Sequence, residues 1–117
     1  MTFATDIEDA VQRNSDTIIG ISVGAFGWGS IDDEKPYGID RVDTDDSAIP
    51  KGVVLDWKEV RPLLDYKYNT GHGAPECHAV TVWGVDYVYW VTQYDGATWI
   101  DHIPCRPIDH VPQMSGG

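Results

Sequence analysis

The sequence predicts an α+β fold in which a small, mainly antiparallel sheet of four to five strands packs with two short helices. The first observation is a C-terminal β-meander, because residues 77–103 form three short apolar runs separated by two tight turns. The second turn contains Asp95-Gly96, the dipeptide preferred where a type I′ turn needs positive φ at both central residues. The second observation is that two segments with helical periodicity precede these strands. Strands gathered after helices favour the α+β class.

Length and composition are typical of one folded domain covering residues 1–117. A chain of 117 residues, 42% of them hydrophobic, can bury about two-thirds of its unfolded surface without disulfides or metal. Residues 1–14 lack the basic start and apolar core of a signal peptide, and no apolar run reaches the roughly 18 residues of a membrane span. We therefore expect a cytoplasmic location, no membrane contact and reduced cysteines.

The N-terminal elements are predicted to be a helix over residues 5–14 and a strand over residues 17–25. Thr5 and Glu8 have the spacing of a capping box at the start of this helix. In the strand, the alternation assigns one apolar face to four residues: Ile19, Ile21, Val23 and Ala25. The other face is largely glycine and serine, which indicates that another element approaches it closely.

Residues 31–50 are predicted to form a long acidic loop. Seven acids in this window outnumber Lys35 and Arg41, while two prolines and a glycine interrupt any periodicity. A loop of this length in a small domain is usually functional or mobile.

A short strand over residues 52–55 and a second helix are predicted to follow the loop. Asp56 is placed as the N-cap of this helix, with Glu59 completing a capping box, and the helical pattern extends to Tyr68. At the end of the chain, prolines and a terminal Ser-Gly-Gly predict a frayed tail over residues 112–117.

The meander is predicted to have an aliphatic face and an aromatic face. The Asp95-Gly96 turn pairs Trp90 with Asp101, and a two-residue turn at Val85-Asp86 fixes the first strand. This register places together Val80, Val82, Tyr89, Val91 and Ile100. The opposite face carries Ala79, Thr81, Trp83, Val88, Trp90, Thr92, Tyr94 and Trp99. Either both faces are covered, one by the helices and the other by the long loop or a second chain, or the aromatic face binds a partner. If the helices cover the aromatic face, it belongs to the core; otherwise that face can bind a partner or close a homodimer.

Metal and nucleophile chemistry is weakly supported. Five residues are zinc ligands by type: His72, Cys77, His78, His102 and Cys105. No second short pair accompanies His102 and Cys105, and adjacent strand residues such as Cys77 and His78 point to opposite faces. Cys77 beside His102, or Cys105 alone, would need a base and a lowered thiol pKa to act as a nucleophile. We therefore predict no catalytic residue, no metal and no cofactor.

Three aspartates of the acidic loop, Asp43, Asp45 and Asp46, resemble the start of a calcium loop. The pattern fails further on, because Ala48 stands where the loop needs its glycine and Val54 where it needs its glutamate. The sequence therefore does not predict a specific calcium site.

Charge is the strongest functional signal in the sequence. Nineteen acids against eight bases give a net charge of −11, which repels nucleic acid and anionic membranes and attracts basic proteins. We predict a small acidic inhibitor that occludes a basic surface of a nucleic-acid-processing enzyme, such as a virus-encoded anti-defence protein. The predicted partner-binding residues are Asp32, Asp33, Glu34, Asp40, Asp43, Asp45, Asp46, Trp83, Trp90 and Trp99. The alternatives are an immunity protein against a toxic nuclease and a small ligand-binding or enzymatic domain with a pocket on the aromatic face.

Overall fold

The computed structural model describes residues 1–71, 73–112 and 114, and over these residues it shows the predicted α+β fold. The helices are α1 (Phe3–Arg13) and α2 (Trp57–Leu64), and two 3-10 turns lie at Ile39–Arg41 and Asp46–Ala48. The strands are β1 (Ile18–Phe26), β2 (Val54–Leu55), β3 (His78–Gly84), β4 (Tyr87–Tyr94) and β5 (Ala97–Pro104). They form one antiparallel sheet in the order β2-β1-β3-β4-β5. Of the tail predicted to be frayed, only positions 112 and 114 fall among the described residues, and both are exposed.

Helix α1 begins earlier than predicted, and a different capping box starts it. The backbone N–H of Thr5 donates to the hydroxyl of Thr2, and the N–H of Thr2 donates to the hydroxyl of Thr5. Thr5 is therefore the N3 residue that closes the box rather than the N-cap residue that opens it. Glu8, which was expected to close the box, instead accepts hydrogen bonds from Arg61 on α2.

Helix α2 ends at Leu64 rather than at Tyr68. The chain beyond Leu64 turns to pair with the start of α1, where the N–H of Phe3 donates to the carbonyl oxygen of Tyr66. Pairing between the N-terminal segment and the segment after α2 therefore overrides the helical pattern of the sequence. Asp56 is the N-cap residue as predicted, but its side chain makes no capping hydrogen bond.

Both helices pack on the aliphatic face of the sheet. The helix residues in this core are Phe3, Ala4, Ile7, Val11, Val60 and Leu64. The strand residues in it include Ile21, Val23, Val80, Val82 and Tyr89. Val82 lies opposite Tyr89 and Thr81 lies opposite Trp90, which confirms the predicted register of the meander. The helices therefore leave the opposite face of the sheet to the tryptophans.

The predicted alternation of β1 is wrong at both of its ends. Ile21 and Val23 are buried as expected, but irregular pairing between Ile18 and Gly20 leaves Ile19 67% exposed. A second register shift after Val23 places Phe26, rather than Ala25, in the core. Bulges of this kind turn a strand locally and change which residues face inward.

Candidate functional site

The acidic loop, residues 31–50, packs on the helix-covered side of the sheet. Val42 and Ile49 are buried in the core. The hydroxyl of Thr44 donates to the carbonyl oxygen of Leu63 in the last turn of α2. The second half of the loop is thus fixed to the body of the protein by both apolar and polar contacts.

Asp46 is the charged anchor of this loop. Its Oδ1 atom lies 2.6 Å from His78 Nε2 and 3.1 Å from Lys51 Nζ. Lys51 also donates to the carbonyl oxygens of Asp46 and Ile49, each at 3.0 Å. Burial alone would raise the pKa of Asp46, but hydrogen bonds from His78 and Lys51 outweigh it and lower that pKa below its usual value. Asp46 therefore carries a negative charge at neutral pH.

His78 connects Asp46 to the core of the protein. Its ring is fully buried, its Nδ1 lies 2.8 Å from the Tyr66 hydroxyl, and its backbone N–H donates to the same oxygen at 2.9 Å. Burial lowers the pKa of His78 although Asp46 opposes this shift, so the ring is neutral. The partners then assign the tautomer, in which Nε2–H donates to Asp46 and Nδ1 accepts from Tyr66. Burial also raises the pKa of the Tyr66 phenol, which stays protonated.

The Asp46–His78–Tyr66 relay resembles a catalytic triad in its order of hydrogen bonds only. The Tyr66 hydroxyl is buried, already accepts and donates a hydrogen bond, and has a raised pKa, so it lacks the properties of a nucleophile. The relay instead holds the acidic loop against strand β3.

Five of the seven loop acids line one open groove of about 510 Å³. They are Asp33, Glu34, Asp40, Asp45 and Asp46. Asp32 and Asp43 are exposed on the same loop outside this lining. Lys35 and Lys51 also line the groove, but Lys51 is already paired with Asp46. The groove, which we call the acidic groove, is therefore strongly negative.

The arginines of the chain do not offset this charge, because each of them is paired elsewhere. The ion pairs are Arg13–Asp9, Arg41–Glu76, Arg61–Glu8, Arg61–Asp65 and Arg106–Asp86. Exposed pairs contribute little stability, but they neutralise each guanidinium locally. The negative excess of the chain is thus left on acids without a basic partner, and the loop carries many of them.

The three predicted tryptophans project from the open face of the sheet. Trp83 and Trp90 are half-buried and Trp99 is 41% exposed. Their sheet neighbours Val82 and Tyr89 point the other way, into the helix-covered core. The alternative in which the helices cover the aromatic face is therefore wrong.

The tryptophans form a diagonal row across three adjacent strands. Trp90 on β4 lies opposite Thr81 and Asp101, while Trp83 and Trp99 each lie two residues from those partners. Diagonal neighbours of this kind are about 7–8 Å apart. The three indole rings therefore lie on three adjacent strands of the sheet, one on each strand.

One end of this row opens into a second groove of about 450 Å³, which we call the tryptophan groove. The sheet contributes Trp90, Trp99, Asp101 and Ile103, and the C-terminal segment contributes His110 and Val111 among others. Two indoles and one carboxylate thus share a groove whose remaining lining mixes apolar side chains with His102 and His110.

The structure separates the two halves of the predicted partner-binding site. Asp46 contacts His78, whose ring lies on the helix-covered side, whereas Trp90 and Trp99 project from the open side. The loop acids and the tryptophans therefore form two surfaces rather than one continuous patch.

The structure does not bring together the groups that a cysteine nucleophile would need. Cys77 is 2% exposed and burial raises its pKa to about 12, so its thiolate is strongly disfavoured. His102 packs against the rings of Tyr87 and Tyr89 rather than against Cys77. Cys105 lies beside the carbonyl oxygen of Val85, at the opposite end of β3 from Cys77. Both cysteines are free thiols.

The zinc and calcium candidates are likewise dispersed. His72 lies outside the described residues. Within residues 1–71, 73–112 and 114, no group of three or more histidine, cysteine, aspartate or glutamate side chains is placed to hold a metal. Asp46 is engaged by His78 and Lys51, and Asp45 accepts hydrogen bonds from Ser47 as the cap of a 3-10 turn.

Two polar residues of the structure were not singled out as site residues from the sequence. From the sequence, His78 is a zinc candidate or a polar group of a pocket on the aromatic face, whereas its link to Asp46 depends on a contact between residues 32 apart. The predicted pairing of Asp101 with Trp90 is confirmed, and it is the feature of the sequence that indicates a carboxylate beside the tryptophans.

Comparison of the chain with protein-family models, curated proteins and solved structures finds no match. Among the described residues, no helix is both long and apolar enough to cross a membrane.

Proposed function

We propose that this chain is a small acidic protein-binding inhibitor that occludes a basic, nucleic-acid-binding surface of another protein. The observation that supports the proposal best is the acidic groove, which is lined by five carboxylates of a loop whose second half is fixed to the core. Nucleic-acid-binding surfaces are lined by lysine and arginine because they must neutralise phosphates. A fixed array of carboxylates competes for the same side chains.

Rigidity of the loop favours this role. The Asp46–His78–Tyr66 relay and the Lys51 hydrogen bonds hold the second half of the loop before any partner arrives. A surface that is ordered in advance loses less conformational entropy on binding than a flexible acidic tail. The net charge of −11 also accelerates encounter with a basic partner.

Two biological settings would use such a surface. A virus-encoded anti-defence protein would block a host enzyme that processes nucleic acid, and an immunity protein would block a toxic nuclease. Both settings require the same chemistry, in which loop carboxylates replace phosphates at the target.

The test uses two variants with the same net charge. The loop variant carries Asp32→Asn, Glu34→Gln, Asp40→Asn and Asp43→Asn, which removes exposed carboxylates that hold no structural hydrogen bond among the described residues. The control carries Asp56→Asn, Glu59→Gln, Asp95→Asn and Asp109→Asn, which removes four exposed carboxylates outside the loop. Thermal unfolding of both variants checks that each retains its fold.

The immobilised chain is used to capture proteins from the native host, and those that salt releases are identified and purified. Each purified protein is then titrated with a labelled duplex DNA and a labelled RNA in the presence of the chain. We expect the chain to displace nucleic acid from its partner, the loop variant to lose this displacement and the control to keep it. Binding should also weaken steeply with ionic strength. A ternary complex of partner, nucleic acid and chain, or equal loss in both variants, contradicts the proposal.

A further inference from the structure

We propose that the tryptophan groove is a second protein-docking site, which receives an arginine or lysine side chain of a partner. The inference does not depend on the proposed function, because the acidic groove lies on the other side of the sheet. It assigns a role to Asp101, which stands directly opposite Trp90 and two residues from Trp99 on the same face.

The position of Asp101 next to Trp90 and Trp99 favours a cationic ligand. The directly opposite residues of an antiparallel pair have Cβ atoms about 5 Å apart, and residues two apart on a strand are about 7 Å apart. A cation seated there would lie next to both indoles and to the carboxylate. Indole rings attract cations through their quadrupole, and the attraction is strongest for tryptophan.

Asp101 has no basic partner of its own among the described residues. Its Oδ1 atom accepts only the neighbouring backbone N–H of His102, at 3.0 Å. The groove lining contains no lysine or arginine, and the four arginines of the chain are paired elsewhere. The carboxylate is therefore open to a cation from another molecule, and the negative charge of the chain favours its approach.

The apolar part of the groove lining suits the methylene stem of such a side chain. Ile103, Pro104 and Val111 line it beside the two indoles. Lysine and arginine bury their methylene stems on apolar surface while the charged group keeps its polar contacts.

Strand addition at the neighbouring edge of the sheet is disfavoured, because few of its outward N–H groups are free. The hairpin register directs the backbone groups of every second β5 residue outward. Of these outward positions, Thr98 N–H donates to the Thr70 carbonyl, His102 N–H donates to Asp101, and Pro104 has no N–H. Only Ile100 is left with an outward donor, which is too little to add a strand.

Charge also selects among other occupants of the groove. Phosphate groups of nucleic acid would meet Asp101 without a compensating cation. A second copy of the chain would bring two molecules of charge −11 together at carboxylate-bearing faces. The Asp101 carboxylate and the negative charge of the chain, which oppose nucleic acid and a second copy, attract a basic side chain of a different protein.

The test follows the five indole N–H signals of the ¹⁵N-labelled chain by NMR, assigned through single Trp→Phe variants. The probes are the peptide acetyl-Gly-Arg-Gly-amide and its citrulline counterpart, which keeps the shape of arginine but is neutral. We expect the arginine peptide to shift the Trp90 and Trp99 signals while Trp57 stays unchanged. The citrulline peptide should bind about fivefold or more weakly, because it loses both the cation–π and the carboxylate contact.

Asp101→Asn should weaken arginine binding by a similar factor, whereas the matched variant Asp95→Asn, in the turn of the same hairpin, should not. Equal binding of the two peptides, or no effect of Asp101→Asn in a folded protein, overturns the proposal. So does a shift of the same indole signals by cellohexaose without one by the arginine peptide, which would identify a neutral sugar site. A dimer seen by sedimentation and broken by Trp99→Ala would assign the face to a second copy and overturn it as well.

Discussion

The carboxylate of Asp16 occupies the space that a side chain at Gly84 would need. A Cβ atom built on Gly84 would lie 2.0 Å from Asp16 Oδ2, far inside van der Waals contact. In that position Asp16 accepts hydrogen bonds from the N–H groups of Asp86 and Tyr87, each at 3.1 Å, and from the Tyr89 hydroxyl at 2.9 Å. One carboxylate thus joins the connection between α1 and β1 to the turn between β3 and β4.

Replacement of Gly84 by alanine should destabilise the protein by about 1–3 kcal/mol. The added methyl group must displace Asp16 and break several of its hydrogen bonds, which combines overpacking with the loss of part-buried polar contacts. Urea denaturation measures the change in free energy of unfolding. Gly71→Ala is the matched control, because the nearest atom to its added Cβ is 3.8 Å away. Equal stability of the two variants would show that the Asp16 contact is dispensable.

The stability contributed by Asp16 should disappear in acid. Burial alone would raise the pKa of Asp16, but hydrogen bonds from Thr17, Tyr89, Asp86 and Tyr87 outweigh it and lower the pKa below 3.8. A group with a depressed pKa stabilises the fold above its unfolded pKa, and this contribution is lost as pH falls through the folded pKa. Wild-type protein should therefore lose more stability than Asp16→Asn between about pH 5 and pH 2.

The comparison between these two proteins is essential, because Glu8 and Asp46 also have lowered pKa values and contribute to acid unfolding in both. Unfolding free energies measured at a series of pH values should converge toward low pH. Parallel curves would exclude a special contribution from Asp16.

The two cysteines should differ sharply in reactivity. Burial raises the pKa of Cys77 to about 12 and excludes reagents, whereas Cys105 is exposed. We expect a thiol reagent such as DTNB to modify one thiol per native chain rapidly and the second only on unfolding. Mass spectrometry of the digested product should place the rapid label on Cys105. Rapid labelling of Cys77 in folded Cys105→Ser protein would contradict the buried position of Cys77.

The β4–β5 hairpin was predictable from the sequence because its information is local. Asp95 and Gly96 both have positive φ and form a two-residue turn. This turn fixes every pair of the hairpin, including Trp90 with Asp101. The start of α1 was not predictable in the same way. Glu8 looked like a capping residue because its real partner, Arg61, lies 53 residues away in the sequence.

The candidate site divides along the same line. The acids of residues 31–50 and the face of the tryptophans could be read from composition and alternation. Their placement on opposite sides of the sheet could not, because it depends on the contact between Asp46 and His78 and on which face the helices cover. Both are long-range choices that a local pattern leaves open.

The link between His78 and the acidic loop predicts a loss of stability in mild acid. Burial lowers the pKa of His78 below its usual 6.5, so the unfolded chain binds a proton at a pH where the folded chain does not. Stability is therefore fully present above about pH 6.5 and falls as pH drops below it, until the folded-state pKa is reached.

Urea denaturation at pH 7.5 and pH 5.5 tests this, with His78→Gln as the variant and His102→Gln as the control, since the His102 ring is exposed. Wild-type protein and the control should lose stability between these two pH values, whereas His78→Gln should change much less. At pH 7.5 the His78 variant should already be weaker by roughly 1–3 kcal/mol, because Tyr66 and Asp46 lose a buried partner. The second half of its acidic loop should also be cut faster by protease, since the same contact holds this part of the loop on the core. A parallel decline of all three proteins would show that the relay does not set the pH dependence.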